Sequence, residues 1–217
     1  MLRVLSTKKL LLNQRELLLN AGVSFVNYDA LVINTVPFKI PEGIENCIIT
    51  SQNGAKSLTE FERDTNCFVV GKKTASHLSK NGQKVMKTAR NGAELARFIV
   101  KNYKNEHFFY FCGKQRRDEI PTILSESNVS YKEIITYETK LNPQSFEQEF
   151  NSVLFFSPLG VASFAKANVF TNTTAICIGE TTAEAAKKYT EQTIVANDTT
   201  IESTIAKAVT YLKKNIN

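Results

Sequence analysis

Six short stretches carry the side chains that could do chemistry, and each follows an apolar run. They are Ser-Thr-Lys-Lys at 6–9, Ser-Gln-Asn-Gly at 51–54, Gly-Lys-Lys-Thr at 71–74, Gly-Lys-Gln-Arg-Arg at 113–117, Ser-Pro-Leu-Gly at 157–160 and Gly-Glu-Thr-Thr at 179–182. Hydroxyls, amides and cations dominate, with almost no acids beyond Asp118 and Glu180. A helix that starts where a buried strand ends presents unpaired backbone N–H groups, so loops of this kind hold anions. Other chemistries lack their residues. No G-x-S-x-G elbow surrounds Ser51 or Ser157, no Walker sequence occurs, and Asp29 has no G-x-G-x-x-G before it. Cys47, Cys67, Cys112 and Cys177 begin or interrupt apolar runs without C-x-x-C spacing, which makes them core hydrophobes rather than metal ligands. Two histidines, His77 and His107, do not make a histidine-rich metal site. The pattern therefore calls for a site that holds an anion rather than one that attacks it.

The elements that must position these loops follow from the periodicity. In residues 175–190 the apolar run stops at Gly179 and helical spacing begins, with Thr181 or Thr182 expected at the helix N-cap. Residues 67–82 repeat that grammar, with Gly71, Thr74 and Ala75 lying 108 positions before Gly179, Thr182 and Ala183. Val23-Ser24-Phe25 is echoed by Val129-Ser130-Tyr131, and Ser51, Gly54 and Ser57 by Ser157, Gly160 and Ser163, each at an offset of 106. Helices are expected over 10–20, with a leucine stripe closed by Gly22, and over 55–61, 92–103, 120–124 and 201–213. Residues 28–36 and 134–141 read as extended. The chain is thus two copies of an α/β unit with a parallel sheet, in which ligands bind outside the strand carboxyl ends. If the two lobes face each other, all six loops line one cleft.

Composition sets the partner class. The 217 residues hold 27 Lys and Arg against 21 Asp and Glu, a net charge of +6, which favours an acidic partner. No RNP motif, zinc finger or basic heptad helix is present, so nucleic acid is not expected. No run nears the ~20 apolar residues of a membrane span, and the chain turns basic at Lys8 and Lys9 where a signal peptide would stay apolar. A cytoplasmic, reducing location is expected.

In this order, IITSQNGAKSL, VVGKKTASHL, FCGKQRRDEIPTIL, the Tyr-x-Thr of Tyr137 and Thr139, VLFFSPLGVASF and AICIGETTAEAAKKY resemble the uroporphyrinogen-III synthase family nearly end to end. The resemblance implies an α/β fold of two flavodoxin-like lobes with parallel sheets, joined by a two-stranded linker, with the active site in the cleft between them. One lobe would take residues 1–31 and 142–217, the other 37–133, with 32–36 and 134–141 as the linker strands. The residues alone equally allow two sequential lobes. The implied reaction is loss of water from linear hydroxymethylbilane, closure onto the substituted carbon of the terminal ring, fragmentation, and reclosure with that ring inverted, in haem biosynthesis. No cofactor is implied.

Position by position, Tyr137 resembles the family's tyrosine that assists loss of the hydroxyl, and a phenol O–H can donate to it. Ser157, Gly160, Thr181 and Thr182 resemble helix-start positions that hold substrate carboxylates. Ser51, Asn53 and Thr74 would do the same on the other lobe, and Lys114 and Arg116 match a basic loop. The partner implied is a polycarboxylate tetrapyrrole taken up by a monomer, with transient contact to the upstream hydroxymethylbilane-forming enzyme and no nucleic acid or membrane. A two-lobed module that closes on an anionic small molecule without chemistry is the alternative that the residues themselves leave open.

Overall fold

Parallel strands covered on both faces cannot alternate apolar with polar residues, so the short wholly apolar runs of this sequence are its central strands. The computed structural model describes residues 2–56 and 65–215. From the amino end run β1 (Arg3–Ser6), α1 (Leu12–Leu19), β2 (Ser24–Asn27) and β3 (Leu31–Thr35). Next come β4 (Asn46–Ile49), α2 (Gln52–Lys56), β5 (Asn66–Val70), α3 (Lys72–Lys80), β6 (Lys84–Ala89), α4 (Gly92–Asn102), β7 (His107–Gly113), α5 (Glu119–Glu126) and β8 (Ser130–Leu141). The chain closes with β9 (Ser152–Phe155), α6 (Pro158–Ala165), β10 (Thr174–Cys177), α7 (Glu180–Ala186), β11 (Thr193–Val195) and α8 (Ile201–Lys214). The helix expected over 55–61 begins earlier, at Gln52, and positions 57–61 of that expectation lie outside the described residues. Among the described residues no helix is long and apolar enough to cross a membrane.

The chain divides into two compact units, Met1–Val32 with Lys140–Asn217, and Ile33–Thr139. In the first, a five-stranded sheet runs β11-β10-β9-β1-β2 with every pair parallel. In the second, the sheet order is β3-β8-β7-β4-β5-β6, parallel from β8 through β6. With β3 set aside, the two orders are the same walk across a flavodoxin-like sheet. β3 is the added edge strand beside β8, where the Val36 N–H donates to the Thr136 carbonyl at 3.0 Å. The extended segment 134–141 forms the last eight residues of β8, a 12-residue strand.

Each sheet sends alternate residues to opposite faces. In the first unit Leu5, Val153, Phe155, Ala175 and Cys177 pack with residues of α6 and α7, while Val4, Leu154 and Ile176 pack with Leu18, Ile205 and Leu212 of α1 and α8. In the second unit Ile48, Phe68, Tyr110 and Cys112 face α4 and α5, while Cys47, Ile49, Cys67 and Val69 face Ala55 and Leu78 of α2 and α3. All four cysteines are free and buried in these cores. The leucine stripe of α1 is a departure. Only Gln14 and Leu18 of that helix are buried, whereas Leu12 and Leu19 are 73% and 59% exposed. Beyond α1, Gly22 takes φ +73° as its N–H reaches the Leu19 carbonyl, the left-handed turn that ends a helix.

Candidate active site

Strand length brings the chemistry together in the second unit. At the carboxyl ends of β4, β5, β6 and β7 lies a cavity of about 360 Å³ whose wall includes Thr50, Ser51, Arg90, Tyr110, Arg116, Arg117, Glu119 and Tyr137. Tyr137 sits on β8 opposite Gly113, where the β7–β8 register shifts between Cys112 and Gly113. A Cβ at Gly113 would stand 2.6 Å from the Tyr137 ring, so only glycine lets the ring lie there. The phenol oxygen is 3.0 Å from Ser51 Oγ, and Ser51 Oγ also accepts the Gly54 N–H at 2.9 Å. A second hydroxyl pair, Thr50 Oγ1 with the Tyr110 phenol at 3.2 Å, borders the same cavity. Burial pushes the Tyr110 phenol up to about 12, so it stays protonated through neutral pH.

The loop after β7 is stitched to β8. Lys114 N–H donates to the Tyr137 carbonyl at 2.9 Å, and Gln115 brackets Thr139, donating Nε2–H to its carbonyl and accepting its N–H. Arg116 places Nη2 2.6 Å from Glu133 Oε1 and Nη1 on Asp118. These partners, Glu133 first, raise the guanidinium pKa further and fix its charge. The wall is therefore less cationic than the loop sequence suggests. Glu133 and Glu119 supply acids that the six-loop reading did not include, and Arg116 is already engaged where a substrate carboxylate was expected. Arg117, exposed and lining the cavity, has no ion pair with any described residue, and Arg90 spends Nε on Glu94 at 2.8 Å.

Of the residues singled out by sequence, Ser51, Arg116 and Tyr137 meet in this one cavity. Lys114 contributes its backbone and leaves its side chain exposed. Asn53 lies in the first turn of α2 and Thr74 is buried in the first turn of α3, 5% exposed. The remaining four belong to the first unit. Ser157 caps α6 by accepting the Gly160 N–H at 3.1 Å, with Pro158 just inside the helix. The cap expected at Thr181 or Thr182 is instead the backbone of Gly179, because α7 starts directly after the glycine. Thr181 is exposed, but Thr182, three residues into the helix, is 2% exposed and faces inward. α3 repeats this start, with Gly71 as its N-cap and Thr74 turned inward.

Tyr110, Thr50 and Glu133 were missed. Glu133 stands on β8 opposite Tyr110, ahead of the register shift that precedes Tyr137, and nothing local ties it to Arg116. Tyr110 reads as one more aromatic of an apolar run, and nothing local marks it. A larger cavity, about 600 Å³, lies in the first unit among Phe146, Phe150, Phe164 and Lys166. Its residues precede β9 and β10, at the strand amino ends, where sheets of this kind do not place ligands.

Comparisons with known proteins place the fold in a family. The family model described as uroporphyrinogen-III synthase HemD matches residues 25–206. An uncharacterized protein of Rickettsia prowazekii is 30% identical over 159 residues, covering 72% of this chain and 56% of its own. A porphyrin biosynthesis protein HemD of Ruminiclostridium josui is 27% identical over 224 residues, covering 88% of this chain and 44% of its own. The chain thus spans about half the length of the curated relatives it matches. A crystal structure of uroporphyrinogen-III synthetase from Helicobacter pylori superposes with a TM-score of 0.77 over 97% of this chain and 100% of that one, at 18% identity, a likeness of fold. Since the family match runs from β2 into the first turns of α8, including the Ser51–Tyr137 pair, the chain belongs to the uroporphyrinogen-III synthase family.

Proposed function

We propose that this chain converts linear hydroxymethylbilane to uroporphyrinogen III, with loss of water and inversion of the terminal ring. The observation that carries the reading is the Tyr137 phenol, 3.0 Å from Ser51 Oγ in a cavity at the strand carboxyl ends. Ser51 Oγ already accepts the Gly54 N–H, so its own O–H is free to donate to the phenol oxygen. The phenolic proton then points to a ligand. It is donated to the hydroxyl of the hydroxymethyl group as the C–O bond breaks, water departs, and the remaining pyrrole cation is what the terminal ring attacks. Glu119 in the cavity wall would offset the positive charge of that cation.

The rest of the work is positioning, because the substrate closes unaided to the uninverted isomer. The reading includes a cytoplasmic location, in keeping with four free, buried thiols. The test supplies freshly made linear tetrapyrrole, oxidises the products and separates the ring isomers by chromatography. Isomer III formed faster than the spontaneous background is expected. Only the uninverted isomer, at the spontaneous rate, would replace the enzyme with a binding module.

A further inference from the structure

Next to the Tyr137 cavity, in the same unit, the ends of β4 and β5 open into a second hollow of about 430 Å³. The two are neighbours along the chain at both strand ends. Ser51 and Val70 line the first, while Gln52 and Lys72, one and two residues further on, line the second. Lys73, Ser76, His77 and Lys80 complete its wall, and helical spacing explains why one side of α3 supplies all of them. Lys72, Lys73 and Lys80 are exposed, and none forms an ion pair with a described residue. His77 is turned to Asn81, its Nε2 being 3.3 Å from Asn81 Nδ2. Three like charges around one hollow repel each other until an anion enters. The contrast with the first cavity is one of degree, since there Arg116 is neutralised by Glu133 and Asp118 and Arg117 alone of that loop's arginines has no ion pair with a described residue.

We propose that Lys72, Lys73 and Lys80 form a subsite for the carboxylate arms of those substrate rings that lie away from Tyr137. The inference rests on the function proposed above. A linear chain of four pyrroles, each with an acetate and a propionate arm, is too long for a 360 Å³ cavity, so with its reacting end at Tyr137 it must extend past the neighbouring strand ends. The hollow over Lys72 and Lys73 is one direction in which it finds unpaired cations. Such contacts are equal in ground and transition states, so they lower KM and leave kcat alone.

The experiment compares a Lys72→Gln, Lys73→Gln double variant with a control of equal net charge, Lys101→Gln with Lys104→Gln, whose residues lie where α4 leads into the amino end of β7. Both are titrated with a stable octacarboxylic porphyrin by fluorescence and assayed for isomer III over a range of substrate concentrations. For the first variant, a KM and a porphyrin dissociation constant raised about three- to thirtyfold are expected, the range for two exposed ion pairs, with kcat within about twofold. Its salt dependence should be flatter than that of the parent. The control should match the parent. If isomer III is made but both variants share the parent's KM and porphyrin affinity, the subsite is overturned while the synthase reading stands. If no isomer III is made but porphyrin binding still depends on Lys72 and Lys73, the subsite stands without the reaction. Lys72→Gln alone, at an exposed position, guards against misfolding of the double variant and should show part of the same loss.

Discussion

The two units share a strand order and a set of helix starts, and they differ in how far two strands run. β1 and β2 of the first unit stop at Ser6 and Asn27, a registered pair beside Leu154 of β9. Their counterparts pass the same level at Tyr110 and Glu133 beside Ile48 of β4, and continue to Gly113 and Leu141. The extra length carries Tyr137 to the mouth of the sheet. In the first unit the chain turns away after Asn27, and Tyr28 folds inward, 6% exposed and edge-on to Phe146 at 5.1 Å, with its hydroxyl unpartnered. Ser51 and Ser157 hold the same capping geometry, yet only Ser51 also meets a phenol. The capping hydroxyls are therefore common to both units, and strand extension is what adds a phenol to one of them.

The largest effect should come from disturbing that phenol, the acid of the proposed reaction. Tyr137→Phe removes one hydroxyl from a ring whose packing stays intact, and should lower kcat about ten- to a thousandfold with little change in melting temperature. Gly113→Ala should reach about a hundredfold by displacing the ring, whose nearest atoms are 2.6 Å from the added Cβ. Steady-state rates beside thermal melts would check both. Full activity in Tyr137→Phe would reduce the second unit to the level of the first, a capping framework without an acid.

A smaller effect separates the two caps. Ser51→Ala and Ser157→Ala should each cost about 1 kcal/mol of stability, as lost N-caps do. Only Ser51→Ala should also slow turnover, because only Ser51 orients the Tyr137 phenol. Equal kcat losses in the two variants would dissolve the distinction between the units.

The smallest effect concerns the buried phenols. Burial pushes Tyr28 up to about 12, as it does Tyr110, against an ordinary value of 10.0. Between these values the folded chain keeps a proton that the unfolded chain has lost, so this stabilisation is whole below pH 10 and declines as pH rises toward 12. Tyr28→Phe should flatten the alkaline decline and raise stability at pH 7 by about 1 kcal/mol, since the hydroxyl lost has no partner. Tyr110→Phe should flatten the same decline but lower stability at pH 7, because Thr50 Oγ1 loses its bond. Urea melts at pH 7 and pH 11 would distinguish the two.

Much of this was legible locally. An apolar run ending in glycine or serine and followed by helical spacing describes a strand and a helix start, and those elements stand where the spacing placed them. The helix N-cap at Gly179 rather than a threonine was not legible, because Thr182 is a good cap by type but is drawn inward by the packing of α7 on its sheet. Likewise the spacing of α1 announced a helix but not that Leu12 and Leu19 would face outward.

The sequence by itself determined the α/β alternation, the burial of the cysteines and the six candidate loops, because each depends on residues within a turn or two of each other, and it also held the internal repeat, which the chain shows when set against itself. Tertiary structure decided which loops share a cavity, that Arg116 is taken by Glu133 17 residues away, and that Tyr137 meets Ser51 across 86 residues of chain. It also decided that Gly113 must lack a side chain. Those outcomes are set by strand register and strand length, which arise from pairing between distant segments and leave no trace in local periodicity.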